Sequence, residues 1–274
     1  MKSGMIFKDL DLRQLVNEIG SQHFIKVVMD NLGSSHSLIR ENMMGVHDRL
    51  IEEGHLSKEE CSHLFNTSLC NLFKGLGGKG DDSVFCRSFS SLSVAFIVEM
   101  DEKRVLLSHD QYKLALDKAI DYMGREVDRR GFVMGKGWAH APAHGADMLG
   151  ALAAHPNFPL ELADRILDCI KFHITSSDSY IDGEEERLAD IIPVLLERGY
   201  SELDLQNWIK SLLPNVTVKP YSDEEYQFDR IIFNSKYFLM ALYYTLGEKP
   251  KWETLRKFIS QYEPTMFKLA RSST

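Results

Sequence analysis

Apolar residues recur at three- and four-residue spacing along almost the whole chain, and that period predicts helices. In "DLDLRQLVNEIG", Leu10, Leu12, Leu15, Val16 and Ile19 keep near-helical spacing and stop at Gly20. "SSHSLIRENMMGVHDRLIEEG" ends at Gly54, a residue suited to the position just past a helix. Ser57 with Glu60 three places on opens the next helix as a capping box. Its apolar face carries Cys61, Leu64, Phe65, Leu69, Leu72 and Phe73. Helices follow in "DDSVFCRSFSSLSVAFIVEMDEK", in "SHDQYKLALDKAIDYMGREVD", in the stretch headed by "GKGWAHAPAHGADMLG", and from Pro159, a good first helical residue. Asp182 and Glu185 read as cap and reciprocal partner of "DGEEERLADIIPVLLERG", where Pro193 predicts a kink. "SELDLQNWIKSLL" and two longer segments, about 224–246 and 251–269, complete the series. Only Asn215–Tyr221 alternates like a strand, and Pro220 limits it to a loop or an edge.

About ten helices joined by short polar turns predict an all-α fold. Successive helices start about 20–30 residues apart, so a pair takes roughly the length of a HEAT unit. The predicted architecture is a stack of antiparallel helix pairs, a HEAT/armadillo-like α-α superhelix, with an irregular helical bundle as the alternative. No linker composition interrupts the chain, so a single all-helical domain over 1–274 is expected.

Composition narrows the function classes. Of 274 residues, 44% are hydrophobic and 26% charged, values of a globular chain with a sizeable core. The net charge of −8, and no basic cluster longer than Arg129–Arg130, argue against nucleic acid as a partner. "YFLMALYYTL" is about half of what a bilayer span needs, and the start shows no apolar signal core, so no membrane association and a cytoplasmic location are expected. Cys61, Cys70, Cys86 and Cys169 form no C-x-x-C pair and read as reduced thiols. "GLGGKGDDS" lacks the Ser or Thr that follows Gly-Lys in a phosphate loop; it reads as a turn in which Asp81 or Asp82 caps the next helix.

The chemical lead lies between Gly135 and Gly150. On one helix His140, His144 and Asp147 would share a face, at i, i+4 and i+7, a spacing that suits a divalent metal such as zinc. Trp138, Ala141, Gly145, Leu149 and Leu152 fall on another side, which predicts a buried Trp138 and histidines facing a pocket. Pro142 belongs in a first helical turn, and a helix starting there would leave His140 just outside it. A His/Asp group of this kind also serves as a hydrogen-bonded clasp between helices. Two further segments add charge. Glu184 and Arg187 share a helical face by spacing. Arg87 stands among Phe85, Cys86 and Phe89, where it is either a surface arginine whose stem lies along apolar neighbours or a buried guanidinium that needs a carboxylate, with Asp147 or Glu184 as the candidates. His173 lies between the two motifs. The remaining histidines, His47 among them, carry no assignment.

"GKGWAHAPAHGADMLGALAAHP" resembles the signature of a bacterial family catalogued as domain of unknown function 2785. "VFCRSFSSLSVAFIV", "IDGEEERLA" and "NSKYFLMALYYTL" resemble its other blocks in the same order, from about residue 34 to 246. The resemblance implies an all-helical, HEAT-like cytoplasmic protein. It also implies that Arg87, Trp138, His140, His144, Asp147, Glu184 and Arg187 belong together in one pocket, and it implies no activity. The expectation is a binding or scaffolding protein for a peptide, protein or small-molecule ligand. The alternative is a metal-assisted hydrolase, with an ion on His140, His144 and Asp147, Glu184 as general base, and Arg87 or Arg187 steadying an oxyanion.

Overall fold

The computed structural model describes residues 10–212 and 221–272. Twelve α-helices run through them: α1 (Leu12–Ile19), α2 (Ser21–Asn31), α3 (Ser37–Glu52), α4 (Lys58–Asn71), α5 (Ser83–Arg104), α6 (His109–Met123), α7 (Ala141–Ala154), α8 (Ala163–Ile174), α9 (Glu184–Glu197), α10 (Glu202–Lys210), α11 (Asp223–Thr245) and α12 (Glu253–Ser272). Two-residue strands, β1 (Phe132–Val133) and β2 (Gly137–Trp138), pair antiparallel between α6 and α7. The fold is all-α, as the periodicity predicts. The alternating stretch 215–221 lies, apart from Tyr221, outside the described residues.

Local chemistry sets the helix ends. Ser57 and Glu60 form both bonds of the predicted capping box, and Ser108 with Gln111 forms a second. Gly54 takes φ +76°, as expected of a residue just past a helix. Asp81 accepts from the Ser83 amide at 2.8 Å at the start of α5. The predicted Asp182 cap does not form: Gly183, at φ +87°, takes the cap position of α9 with no side-chain bond. Pro193 sits within α9, which continues through it. The short α2, absent from the periodicity reading, buries Ile25 and Val28. Two core residues on an 11-residue helix leave little period to detect.

Contacts divide the chain into two compact units, Met1–Asn157 and Phe158–Thr274, although no change of composition marks the boundary. In the first, α5 is the central helix and packs on α3, α4, α6 and α7. It is long and apolar enough for a membrane span by length and composition. Yet 72% of that stretch is buried, the pattern of a core helix. Ser88, Ser90, Ser91 and Ser93 are all fully buried on it. Small side chains let neighbouring helices come close, and the hydroxyls that this buries need partners. Ser88 bonds toward α7, and Ser93 bonds both Ser68 of α4 and His47 of α3, each at 2.8 Å. Ser88 meets His144 near one end of α7, and Asp101 meets His155 at the other, so α5 and α7 run in the same direction. Tyr112, at the start of α6, donates to the Leu152 carbonyl near the end of α7, so α6 runs opposite.

In the second unit α11 is central, packing on α8, α9 and α12. Asn234, fully buried on α11, donates to the carbonyls of Ser176 and Asp178 and so holds the loop that leads into α9. Farther along both helices, Thr245 bonds Asp190.

The turn between α2 and α3 presses on the backbone of α5. A Cβ on Gly33 would lie 2.7 Å from Cys86 Cα and 2.7 Å from its Cβ. Gly33→Ala is therefore expected to destabilise the fold by about 1–3 kcal/mol in urea titrations. Cys86→Ala keeps both of the atoms concerned and should give no rescue; a neutral Gly33→Ala would show that the turn moves freely off α5.

Candidate functional site

Pro142 decides the geometry of the central motif. It sits in the first turn of α7, which starts at Ala141, and His140 becomes the cap residue. His140 has φ +49° and ψ 33°, a left-handed conformation uncommon for a residue with a side chain. The single helical face expected for His140, His144 and Asp147 does not arise, because His140 lies off the helix. Its amide donates to the Arg130 carbonyl at 3.0 Å, and its own carbonyl accepts from His144.

A row of rings results. Phe132 meets Trp138 edge to face at 4.9 Å, Trp138 lies over His140 at 4.3 Å, His140 meets His144 at 5.7 Å, and His144 meets Phe89 at 5.3 Å. The row runs from solvent to core: Phe132 is 49% exposed and Trp138 39%, whereas His144 and Phe89 are buried. Trp138 is thus not the buried residue that a helical wheel predicts. It belongs to β2, where no helical face applies.

Proton counting fixes the role of His144. The Ser88 hydroxyl has one proton and donates it to the Ala139 carbonyl. At the 2.7 Å contact between Ser88 Oγ and His144 Nδ1, the imidazole must therefore be the donor. Ser88 is held as a structural bridge and is not deprotonated by His144 as a nucleophile would be. Nε2 of a neutral His144 is then left as an acceptor. On α5, burial and then the charges of Asp147 and Asp48 raise the Glu99 carboxyl above the usual range.

Arg87 is fully buried, the second of the two alternatives, and its partner is Glu126. Nε reaches Oε2 at 2.5 Å and Nη2 reaches Oε1 at 3.1 Å, while Nη1 donates to the Lys74 carbonyl and to Ser83. The Asp147 and Glu184 assignments are corrected by position. Arg87 lies in the first turns of α5, beside the segment that leaves α6. Glu126 also accepts from the Asp128 amide, and Asp128 is bound by Arg130 through Nε at 2.8 Å and Nη2 at 2.6 Å. Arg130 in turn donates to the carbonyls of Gly80 and Asp81.

Arg40, fully buried on α3, completes the support. Its guanidinium lies over the Phe85 and Phe89 rings at 4.2 and 4.8 Å and donates to the carbonyls of Lys136 and Trp138, each at 2.9 Å, and of Ser34. At the hairpin, Gly137 takes φ +77°, and a Cβ there would meet Ser37 at 2.7 Å. Lys136 pairs with Asp82 at 2.6 Å.

The residues missed from sequence are Arg40, Ser88, Glu126, Asp128 and Arg130. "GREVDRRG" looks like a solvated charge run. Read as extended chain, however, it puts 126, 128 and 130 on one face. That alternation was the available signal. His47, left unassigned, is fully buried between Asp48 at 2.9 Å and Ser93.

Glu184 and Arg187 belong to the second unit. Glu184 is 1% exposed and accepts from the Asp182 amide, and Arg187 is exposed. Burial pushes the Glu184 carboxyl up to about 7. His173, also in this unit, is buried with Nδ1 3.2 Å from the Tyr180 hydroxyl.

Residues 72–244 match the model of a family described as protein of unknown function (DUF2785). No curated protein and no solved structure matches the chain.

Two outcomes are expected. Arg87→Ala and Glu126→Ala should each cost about 3–5 kcal/mol, because each orphans a buried charge. The double variant should cost clearly less than their sum in urea titrations, and additive effects would mean that the pair is not coupled. For Glu184, the folded state holds a proton that the unfolded chain releases near its ordinary value of 4.5. Stability should therefore fall as pH rises from that value through about 7. Glu184→Gln should flatten this slope between about pH 5 and about pH 8. An unchanged slope would place the titration on another group.

Proposed function

The chain belongs to DUF2785, a family of unknown function, and on that premise we propose that it is a cytoplasmic binding protein that recognises a planar, apolar-bodied ligand at the Phe132–Trp138–His140 face. One observation carries the reading. Two exposed aromatic rings and a strained cap residue are held on a short irregular segment by buried Arg40 and by the Arg87–Glu126–Asp128–Arg130 chain. Fixing exposed rings in this way brings no core burial, whereas pre-organisation of this kind raises affinity for a ligand. Backbone strain of the His140 type tends to collect at binding sites. The four free cysteines fit a reducing compartment.

A HEAT-like stack is the proposed framework. Helices two apart in the chain run in parallel with an opposed helix between them, as in successive repeats. The hydrolase alternative has less in its favour. His144 already donates from Nδ1 to Ser88, and His140 lies off the helix.

The test uses p-cresol as a planar probe, with the three tryptophan indole N–H signals read by NMR. The Trp138 signal and amides of 130–144 should shift on titration, and Trp138→Ala should abolish the response. That variant should also cost less than about 1 kcal/mol, as for an exposed side chain. A loss of about 3–5 kcal/mol would assign Trp138 to packing instead. Shifts spread over the whole protein, or none, would end the binding reading. Zinc retained stoichiometrically by untagged protein, and lost with His140→Ala, would revive the hydrolase.

A further inference from the structure

We propose that a cleft between α9 and α11 in the second unit binds a small organic ammonium ion that carries an apolar group. This goes beyond the hairpin reading and does not rest on it. The cleft has a volume of about 450 Å³, within the range of small-ligand sites. One wall is aromatic and thioether: Phe233, Tyr237, Met240 and Tyr244 from α11, all at least 40% exposed. Phe233 and Tyr237 lie 4.5 Å apart with their planes at 46°, and both line the cleft. The opposite wall is the first turn of α9, with Glu185 and Glu186.

Glu185 is the observation that turns an apolar cleft into a site for a cation. Its side chain lines the cleft and is only 7% exposed, yet among the described residues no lysine or arginine lines the cleft with it. Burial raises its carboxyl above the ordinary range, and the neighbouring Glu186 adds to the rise. The one opposing influence is its own backbone amide. A carboxylate in this setting is stabilised by an incoming positive charge. The rings favour the same sign, because an aromatic face attracts cations. The Phe233 ring already does so on its own helix, where the Arg230 guanidinium stands 5.6 Å from its centre. An anion would meet two carboxylates, and a neutral apolar molecule would leave Glu185 as it is. The combination selects an ammonium head at Glu185 and an apolar body along Tyr237 and Met240.

The test is calorimetric titration of the full chain with three probes of one shape: phenethylammonium, 2-phenylethanol and 3-phenylpropionate. The ammonium ion should bind once per chain, the alcohol at least about tenfold more weakly, and the carboxylate not at all. Glu185→Gln should reduce ammonium binding to the level of the alcohol while the circular dichroism spectrum stays unchanged. Tyr237→Ala should weaken the ammonium ion and the alcohol alike. Trp138→Ala should leave the titration untouched, which keeps failure here separate from failure of the hairpin reading. Equal affinity for ammonium and alcohol, wild-type affinity in Glu185→Gln, or no ammonium binding would overturn the proposal. If Glu185→Gln does not fold, undiminished ammonium binding by Tyr237→Ala overturns it.

Discussion

A guanidinium with no access to water is costly unless its charge and its N–H groups find partners, and the first unit is organised around two such groups, Arg87 and Arg40. Arg87 takes a bidentate carboxylate, a hydroxyl and a carbonyl. Glu126 can supply that carboxylate only if the chain leaving α6 turns back toward the first turns of α5. Once it does, the Glu126 carboxylate also accepts from the Asp128 amide, and Asp128 binds both Arg130 and the Gly80 amide. Arg40 has two ring faces and three main-chain carbonyls instead, those of Ser34, Lys136 and Trp138, all outside the helices, and its buried Nε makes no hydrogen bond among the described residues. Buried charge thus fixes the loops, and the loops set the position of the aromatic row. Packing alone would not specify such an irregular path, since apolar contact has no preferred direction.

The all-α class and most helix starts were legible in the sequence because each has a local cause. Ser57 with Glu60, and Gly54 past α3, act within one turn. The apolar neighbours of Arg87 allowed a buried charge or a surface arginine lying along them, and sequence alone did not decide between the two. The partner of Arg87 was not legible, because Glu126 lies 39 residues away in what reads as a surface run. The fate of the histidine motif turned on a single residue, Pro142. Once it is in the first turn, the wheel that buries Trp138 and aligns His140 with His144 no longer applies. Glu185 was visible as the reciprocal partner of a predicted Asp182 cap and as one of three acidic residues in a first turn, roles that need no ligand. Its place on the cleft depends on α11, about fifty residues on, and periodicity carries no such information.

The serines of α5 show how a core can be polar without being reactive. Ser88 joins a carbonyl to an imidazole, and Ser93 joins another serine to His47, whose second nitrogen meets Asp48. The latter group has the composition of a hydrolytic triad. It lies among helices with Ser93 and His47 fully buried, so it works as a clasp. Residue types alone do not make a nucleophile; access for a substrate is also required.

The sequence distances of the bonds have a consequence for assembly on the ribosome. Arg87 reaches Glu126 39 residues on, Asp101 reaches His155 54 on, and in the second unit Asp190 reaches Thr245 55 on. Loop closure at this scale grows only slowly in entropic cost. A nascent helix therefore waits for little more than one further helix pair before its partner emerges. Arg40 is the exception, since its bonds to Lys136 and Trp138 span 96 and 98 residues. During synthesis that guanidinium waits for the aromatic hairpin to emerge before these two bonds can form, and α7 then follows directly on the hairpin.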